Sequence, residues 1–296
     1  MRVTGTFAET RAACRGTVAL VPTMGFFHEG HLALMEAARE LADTVVVSLF
    51  VNPLQFGDPG DLARYPRDLE RDATLAEAVG ADLLFAPPPE EVYPAPPAVR
   101  VSLPALSTEL EGAYRPGHLD GVAVVVAKLY AGLQPDLAFF GRKDAQQLAV
   151  VSRLAGDLSF PVRVIGCPTV REQDGLALSS RNVFLAPEER SAALSLSRGL
   201  LAAADAAEAG ERSGAALEGV VAAEIEAAGL AGAEYVALAD AAAATRIPTL
   251  DCVAFLAVAA RVGAVRLIDN VFLDPAGPAD RGVRLTRPSL LYAKGN

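Results

Sequence analysis

The chain has 296 residues, of which 52% are hydrophobic, and its formal net charge is −10. This length can bury a large core and favours two domains, whereas so acidic a chain is unsuited to non-specific nucleic-acid binding. The sequence has no uninterrupted apolar run of about eighteen residues, so we expect it to cross no membrane. It also shows no signal-peptide core and no cysteine spacing typical of disulfides or zinc sites, so we expect a cytoplasmic protein.

Apolar strands alternate with helical stretches from the first residues to about residue 184. We predict strands over residues 17–21, 44–50, 82–85, 137–140 and 162–165, and helices over 30–41, 69–79, 121–133 and 144–158. The strands are nearly continuous apolar runs, as expected where helices cover both faces of a sheet. Strand–helix alternation predicts an α/β fold with a doubly wound parallel sheet, whose ligands bind beyond the carboxyl ends of the strands.

The pattern changes after residue 184. Pro187 suits the first turn of a long Ala/Leu-rich helix, and glycines at 210 and 214 interrupt the helical region that follows. Short β-like runs occupy 234–239, 252–259 and 265–268. We predict a smaller α+β domain over 185–296 after a sheet domain over 1–184, and leave the segment from about 274 unassigned.

Two histidines lie where the first predicted strand passes into a helix. They are His28 and His31, in the string Pro22-Thr23-Met24-Gly-Phe-Phe-His28-Glu-Gly30-His31. A helix start favours phosphate because its backbone N–H groups are unpaired, and imidazoles placed there can donate hydrogen bonds to it. The zinc-protease pattern His-Glu-x-x-His is absent. A zinc site here would also need a third ligand, and none is obvious in a chain with only three histidines. The other alternative is that His28 and His31 have a purely structural role.

Polar side chains also follow the next strands. Gln55 comes after the second strand and can bind a hydroxy acid through its neutral amide, although a solvated turn residue is the simpler interpretation when this string is taken alone. Asp68 suits a helix cap. Arg115 and His118 flank a Pro-Gly turn before a helix, which is typical of an anion-facing loop, although His118 could equally be structural.

Two further strings carry the remaining candidates. In 139–148, Gly141 permits close backbone approach and Lys143 supplies a point charge, with Asp144 and Gln147 beside it. In 171–182, two hydroxyls and an arginine can wrap a triphosphate with neutral donors and a guanidinium fork; these are Ser179, Ser180 and Arg181.

Taken in order, these strings resemble the pantothenate synthetase family (pantoate–β-alanine ligases). This family lies within the HxGH nucleotidyltransferase superfamily related to class I aminoacyl-tRNA synthetases. The resemblance spans residues 18–184 and extends more loosely to about 270. It implies a Rossmann-like fold, a homodimer, ATP and Mg²⁺ as cofactors, and pantoate and β-alanine as small-molecule substrates.

The resemblance also implies roles for individual residues. His28, His31 and Lys143 are expected to stabilise the α-phosphate, with Ser179, Ser180 and Arg181 on the departing pyrophosphate. Other ATP-binding positions are Pro22, Thr23, Met24, Gly30, Gly141, Asp144 and Val170. Pantoate is expected at Met24, Gln55, Gln147 and Arg115, and Mg²⁺ at Asp72.

The implied reaction is ATP-dependent amide formation through pantoyl adenylate, with AMP and pyrophosphate released. No nucleophile–base pair stands out, which fits a mechanism based on positioning and charge stabilisation. Three alternatives remain: a nucleotidyltransferase of the same fold that stops at an adenylylated product, a nucleotide-binding regulatory module without turnover, and a metal hydrolase.

Overall fold

The computed structural model describes residues 1–57, 59–229 and 233–292. Contacts between Cα atoms divide the chain into two compact units. The first unit comprises Met1–Phe27, His31–Phe140 and Val150–Cys167, and the second comprises His28–Gly30, Gly141–Ala149 and Pro168–Asn296. The division of the chain into domains at residue 184 stays a prediction. Among the described residues, no helix is both long and apolar enough to cross a bilayer.

The first unit is built on a six-stranded parallel sheet in the order β1-β4-β3-β2-β5-β6. This confirms the predicted α/β class with a doubly wound parallel sheet. Its strands are β1 (Arg2–Thr4), β2 (Val18–Thr23), β3 (Thr44–Leu49), β4 (Leu83–Phe85), β5 (Leu137–Gly141) and β6 (Arg163–Cys167).

Helices connect these strands and cover the sheet. They are α1 (Phe7–Ala13), α2 (Glu29–Leu41), α3 (Pro59–Arg64), α4 (Leu69–Ala78), α5 (Pro89–Val92), α6 (Pro104–Ser107), α7 (Glu111–Tyr114), α8 (His118–Leu133) and α9 (Ala145–Asp157). The four helices predicted in this part of the chain are therefore confirmed within a few residues at each end. The predicted cap Asp68 accepts a hydrogen bond from the Arg71 N–H at the start of α4.

Burial explains why β2 and β3 lie at the centre of the sheet. Nearly every side chain of both strands is buried, because apolar residues from α2 and α4 pack against them. This core includes Val21, Met35, Val47 and Ala76. The strand order reverses between β2 and β5, and in sheets of this kind the ligand crevice opens where the order reverses.

Strand β1 and helix α1 were not predicted. With only three residues at the edge of the sheet, β1 is too short for its hydrophobic pattern to be read. The cap of α1 is nevertheless a regular one, since the Thr6 hydroxyl accepts from the Glu9 N–H.

The second unit contains a three-stranded antiparallel sheet and two long helices. The strands are β8 (Ala233–Asp240), β9 (Ala254–Val262) and β10 (Val265–Leu273), in the order β10-β9-β8. Helices α10 (Pro187–Glu208) and α11 (Gly214–Ala227) share a core with this sheet. The unit also contains a parallel pair of two-residue strands, β7 (Val170–Arg171) and β11 (Val283–Arg284). The three short β-like runs in the sequence therefore correspond to real strands.

Candidate active site

Three neighbouring strands of the parallel sheet precede three of the predicted site strings. Strands β3, β2 and β5 are consecutive in the sheet and parallel. They are followed in the chain by 50–57, by 24–31 and by the 3-10 turn Arg142–Asp144. The candidate residues therefore begin where ligands of a doubly wound sheet are expected.

The turn after β2 has an unusual backbone. Gly25 has a φ of +87° and Phe26 a φ of +55°, a region that costs a non-glycine residue roughly 1–2 kcal/mol. Thr23 stabilises the start of the turn, since its hydroxyl donates to the Ser48 carbonyl (2.6 Å) and accepts from the Gly25 N–H (3.3 Å). A strained turn of this kind needs further partners to persist.

Asp72 supplies those partners from helix α4. Its Oδ2 accepts from the Phe26 N–H (2.6 Å) and its Oδ1 from the Phe27 N–H (2.7 Å). The side chain is fully buried, and a Cβ at position 25 would lie 2.9 Å from Oδ2, which explains the glycine there. Burial raises the pKa of Asp72, although both N–H donors oppose this.

This geometry does not fit the role of Mg²⁺ ligand that the resemblance implies for Asp72. Mg²⁺ in proteins is held through one or two carboxylates together with waters and substrate phosphates. Asp72 is 0% exposed, and each of its oxygens already accepts a backbone N–H. Across residues 1–57, 59–229 and 233–292, no group of three or more His, Cys, Asp or Glu side chains could hold a metal ion.

The turn leads directly to the two histidines. In the first unit, the buried Phe27 ring packs against the His31 ring, with 5.5 Å between centroids. In the second unit, Nδ1 of the buried His28 accepts from the Gly30 N–H (3.1 Å). A neutral imidazole that accepts at Nδ1 carries its proton on Nε2, so His28 presents an N–H donor on its other nitrogen.

The first unit also holds Gln55 in a network of side chains. The Tyr93 hydroxyl donates to Oδ1 of Asn52 (2.9 Å), and Nδ2 of Asn52 donates to Oε1 of Gln55 (3.0 Å). The Gln55 amide in turn points its Nε2 at Sδ of Met24, 2.9 Å away. Asn52 and Gln55 are both buried, so the orientation of the Gln55 amide is fixed by its neighbours.

His118 and helix α8 support the backbone of the same region. Nδ1 of His118 lies 2.9 Å from the Gln55 carbonyl oxygen, and its Nε2 lies 3.0 Å from Nη1 of Arg115. A neutral imidazole donates at Nδ1 and accepts at Nε2 in this setting. This arrangement favours the structural reading of His118. Any Cβ at Gly121 would overlap the Leu54 carbonyl, so only glycine lets α8 approach the turn Pro53–Gln55 this closely.

In the second unit, the turn that carries Lys143 is held by a residue 127 positions away. Nδ2 of the buried Asn270 donates to the carbonyl oxygens of Arg142 (3.0 Å) and Lys143 (2.6 Å). The adjacent Asp269 forms a buried bidentate ion pair with Arg171, at 2.7 and 3.1 Å. Nζ of Lys143 lies 3.8 Å from Oδ1 of Asp144. The backbone of this turn is therefore well anchored.

The serine–arginine loop lies in the same unit. Ser179 caps the 3-10 helix Ser180–Phe184 by accepting from the Arg181 N–H (3.3 Å). Behind the loop, the buried Asn182 amide donates to Oε1 of Glu172 (2.7 Å). The Arg181 side chain is exposed and Ser180 is half-buried.

The predicted residues divide between the units. Pro22, Thr23, Met24, His31, Gln55, Asp72 and Arg115 lie in the first; His28, Gly30, Gly141, Lys143, Asp144, Gln147, Val170, Ser179, Ser180 and Arg181 lie in the second. Their ligand-binding roles stay predictions. Sequence reasoning missed Asn52 and Asn270 as supports; the Asn-Pro turn before Gln55 was a signal for the first, while the second acts from a distant strand.

Comparison with known proteins agrees with these motifs. A family model described as Pantoate-beta-alanine ligase matches residues 2–272. A pantothenate synthetase from Heliobacterium modesticaldum is 52% identical over 87% of this chain and 92% of its own length. The crystal structure of pantothenate synthetase from Thermus thermophilus has a TM-score of 0.87 and 48% identity, covering 94% of this chain and 100% of that one. That of a pantoate-beta-alanine ligase from Francisella tularensis, complexed with beta-gamma ATP and beta-alanine, has a TM-score of 0.73 and 30% identity over 94% of this chain and 99% of that one.

Proposed function

The chain belongs to the pantoate-beta-alanine ligase family of ATP-dependent enzymes, and from that premise we propose how its own residues form pantothenate. In the first step, an oxygen of the pantoate carboxylate attacks the α-phosphorus of ATP, and the bond from that phosphorus to pyrophosphate breaks. In the second, the β-alanine nitrogen attacks the acyl carbon of pantoyl adenylate, AMP leaves, and the amine loses a proton.

Charge stabilisation at the α-phosphate is assigned to His28, His31 and Lys143. The observation that supports this assignment is the hydrogen bond from the Gly30 N–H to Nδ1 of His28, because it orients the ring and places the proton of a neutral imidazole on Nε2, the nitrogen that can donate to a phosphate oxygen. Packing against Phe27 restrains the His31 ring, and Asn270 holds the backbone beneath Lys143. Positioned donors of this kind need no reorganisation when charge develops.

The departing pyrophosphate is assigned to Ser179, Ser180 and Arg181. An exposed guanidinium on a capped turn can fold onto a triphosphate through paired N–H donors. The nucleoside is assigned to backbone at Gly141 and Val170 for adenine, to Gly30 and Asp144 for ribose, and to the strand end Pro22, Thr23 and Met24.

Pantoate is assigned to Gln55 and Met24, with Gln147 and Arg115 as further contacts. The Tyr93–Asn52–Gln55 hydrogen bonds fix a neutral amide that can bind a hydroxyl or a carboxylate without removing the charge that must attack. Mg²⁺ is assigned to the phosphates of the nucleotide rather than to Asp72. A homodimer in the cytoplasm completes the proposal, on the family resemblance alone.

The test is pyrophosphate release from ATP and pantoate, first without β-alanine and then with it. We expect one equivalent of pyrophosphate per site in the absence of amine, and pantothenate plus AMP once it is added. Release that strictly requires β-alanine from the outset contradicts a free acyl adenylate. An adenylylated product that never becomes an amide indicates the nucleotidyltransferase alternative, and ATP binding without any release indicates the regulatory module.

Variants of helix α2 test the histidine assignment. Replacement of one positioned donor by His31→Ala should slow pyrophosphate release on the order of 10²–10³-fold. Glu40→Ala is the matched control, because Glu40 is exposed on the same helix. Near-normal turnover by His31→Ala would remove that residue from the mechanism.

A further inference from the structure

The segment 280–292 follows the last strand of the second unit's antiparallel sheet and lies outside the residues that the family model matches. It contacts three strings that the proposed function assigns to the nucleotide. Asp280 pairs with Nη1 of Arg142 at 2.6 Å, next to Lys143. Strand β11 pairs with β7, in the register Val283 to Val170. The segment therefore contacts both the turn that carries Lys143 and strand β7, which contains the proposed adenine-binding Val170.

The third contact is to the histidine motif itself. Oγ of Ser289 donates to Oε2 of Glu29, and the Leu290 N–H donates to Oε1, both at 2.7 Å. Ser289 is 4% exposed and Glu29 is 8% exposed. The Ser289 hydroxyl also accepts from the Leu291 N–H (3.2 Å), which fixes its orientation.

Further along, Tyr292 fastens the segment to the rest of the unit. The Tyr292 hydroxyl accepts a hydrogen bond from Nη1 of Arg190 (2.7 Å). The same hydroxyl donates to Oε1 of Glu172 (3.0 Å). The Arg190 guanidinium also lies over the Tyr292 ring, 5.6 Å from its centroid. Residues on both sides of the Ser289 contact are thus held in place, so the hydroxyl is presented to Glu29 by an ordered backbone.

Glu29 occupies a sensitive position. It is the first residue of α2 and lies between His28 and Gly30, which share a hydrogen bond. A carboxylate at this point would repel a triphosphate if it turned toward the donors beside it. Two hydrogen bonds to its oxygens hold it in a buried site instead, and each such bond to a charged group is a strong one.

We propose that Ser289 and Leu290 position the histidine motif by binding Glu29. Ser289 does not touch substrate; it acts through Glu29 on the orientation of His28 and Gly30, and it is a positioning residue for adenylate formation. This inference rests on the proposed function of the His28–Gly30 string in binding the ATP phosphates.

The test compares Ser289→Ala with Arg287→Ala in the full-length enzyme. Arg287 is exposed on the same segment and serves as the matched control. Without the hydroxyl, Glu29 loses a charge-assisted hydrogen bond, so we expect the single-turnover rate of pyrophosphate release to fall about tenfold. The KM for ATP should rise, while the KM for pantoate stays within about twofold of that of the unchanged enzyme.

A double-mutant cycle separates positioning from general stability. In a Glu29→Ala background, Ser289→Ala should change the rate by less than about twofold, because the partner through which it acts is gone. Amide hydrogen exchange over residues 28–32 should quicken in Ser289→Ala and not in Arg287→Ala.

The outcomes are distinct. The inference would be overturned if Ser289→Ala slowed pyrophosphate release equally in the unchanged enzyme and in the Glu29→Ala background. It would also be overturned if Ser289→Ala and Arg287→Ala had the same rate. Neither result bears on the proposed function, which is tested on the unchanged enzyme: it fails if that enzyme releases no pyrophosphate from ATP and pantoate, or if it never converts the adenylate to an amide.

Discussion

Replacement of Asp72 by Asn tests whether this carboxylate supports the backbone of the turn at Phe26 and Phe27 or binds a metal ion. The change is nearly isosteric but leaves one acceptor oxygen where the carboxylate has two. One of the N–H groups of Phe26 and Phe27, now 2.6 and 2.7 Å from the carboxylate, will then face an NH₂ group. Because Phe26 already has a φ of +55°, the strained turn depends on these acceptors to persist.

The size of the effect follows from these contacts. A hydrogen bond to a charged group contributes about 1.5–3 kcal/mol, and a buried donor left unpaired costs about 1–3 kcal/mol. Part of this is offset, since burial raises the pKa of Asp72 and a neutral side chain avoids that penalty. We expect the first unit to lose about 2 kcal/mol of unfolding free energy. The Phe27 ring restrains His31, so kcat should fall roughly tenfold or more.

The assay is pyrophosphate release titrated with MgCl₂, together with thermal unfolding. We expect a lower kcat, a lower Tm and an unchanged Mg²⁺ concentration for half-maximal rate. Asp68→Asn is the matched control; Asp68 is exposed on the same helix and caps it, and asparagine caps as well as aspartate does. Rescue of Asp72→Asn by high Mg²⁺ would restore the ligand role and refute our reasoning, and so would a Tm and kcat equal to those of Asp68→Asn.

Three further predictions concern other contacts. Asn270→Ala removes both hydrogen bonds to the lysine-bearing turn, so kcat should fall about tenfold in steady-state assays while the KM for pantoate is unchanged; an unaltered kcat contradicts this. Asn52→Ala frees the Gln55 amide and should raise the KM for pantoate about tenfold without altering that for ATP; equal changes in both would refute the assignment. The Arg281 guanidinium, helped by the Ala279 N–H, lowers the pKa of Glu208 from 4.5 to about 2. The pair therefore stabilises the fold above pH 4.5 and loses this contribution as the pH falls through 2. The Tm of Arg281→Ala should consequently depend less on pH over that range than the Tm of the unchanged protein. Parallel plots of Tm against pH for the two proteins would contradict the pairing.

The fold was largely predictable because its signals are local and strong. Each central strand is a run of apolar residues followed by a helix with one apolar face, and β2, β3 and β5 lie within a few residues of their predicted bounds. The three runs that became β8, β9 and β10 were also visible, since a strand buried on a helix layer keeps its β-branched and apolar composition.

The supports of the site were less predictable because they act across long separations. Asp72 looked like one of several acids at a helix start, and nothing in its neighbourhood indicates that it accepts from backbone 45 and 46 residues earlier. Asn270 lies 127 residues from the turn it holds. Ser289 lies 260 residues from Glu29, and Pro288 beside it interrupts any local periodicity. Local pattern cannot encode such pairings.

The close approach of Gly121 to Leu54 limits how the proposed pantoate site around Gln55 can be redesigned. Any larger residue there would push the Pro53–Gln55 turn outward and carry the glutamine amide with it. Attempts to broaden the range of accepted acids should therefore leave this glycine alone and vary Tyr93 or Met24, whose side chains contact Asn52 and the Gln55 amide. Libraries that randomise position 121 are expected to yield mostly inactive clones, while libraries at those two positions should keep the turn intact.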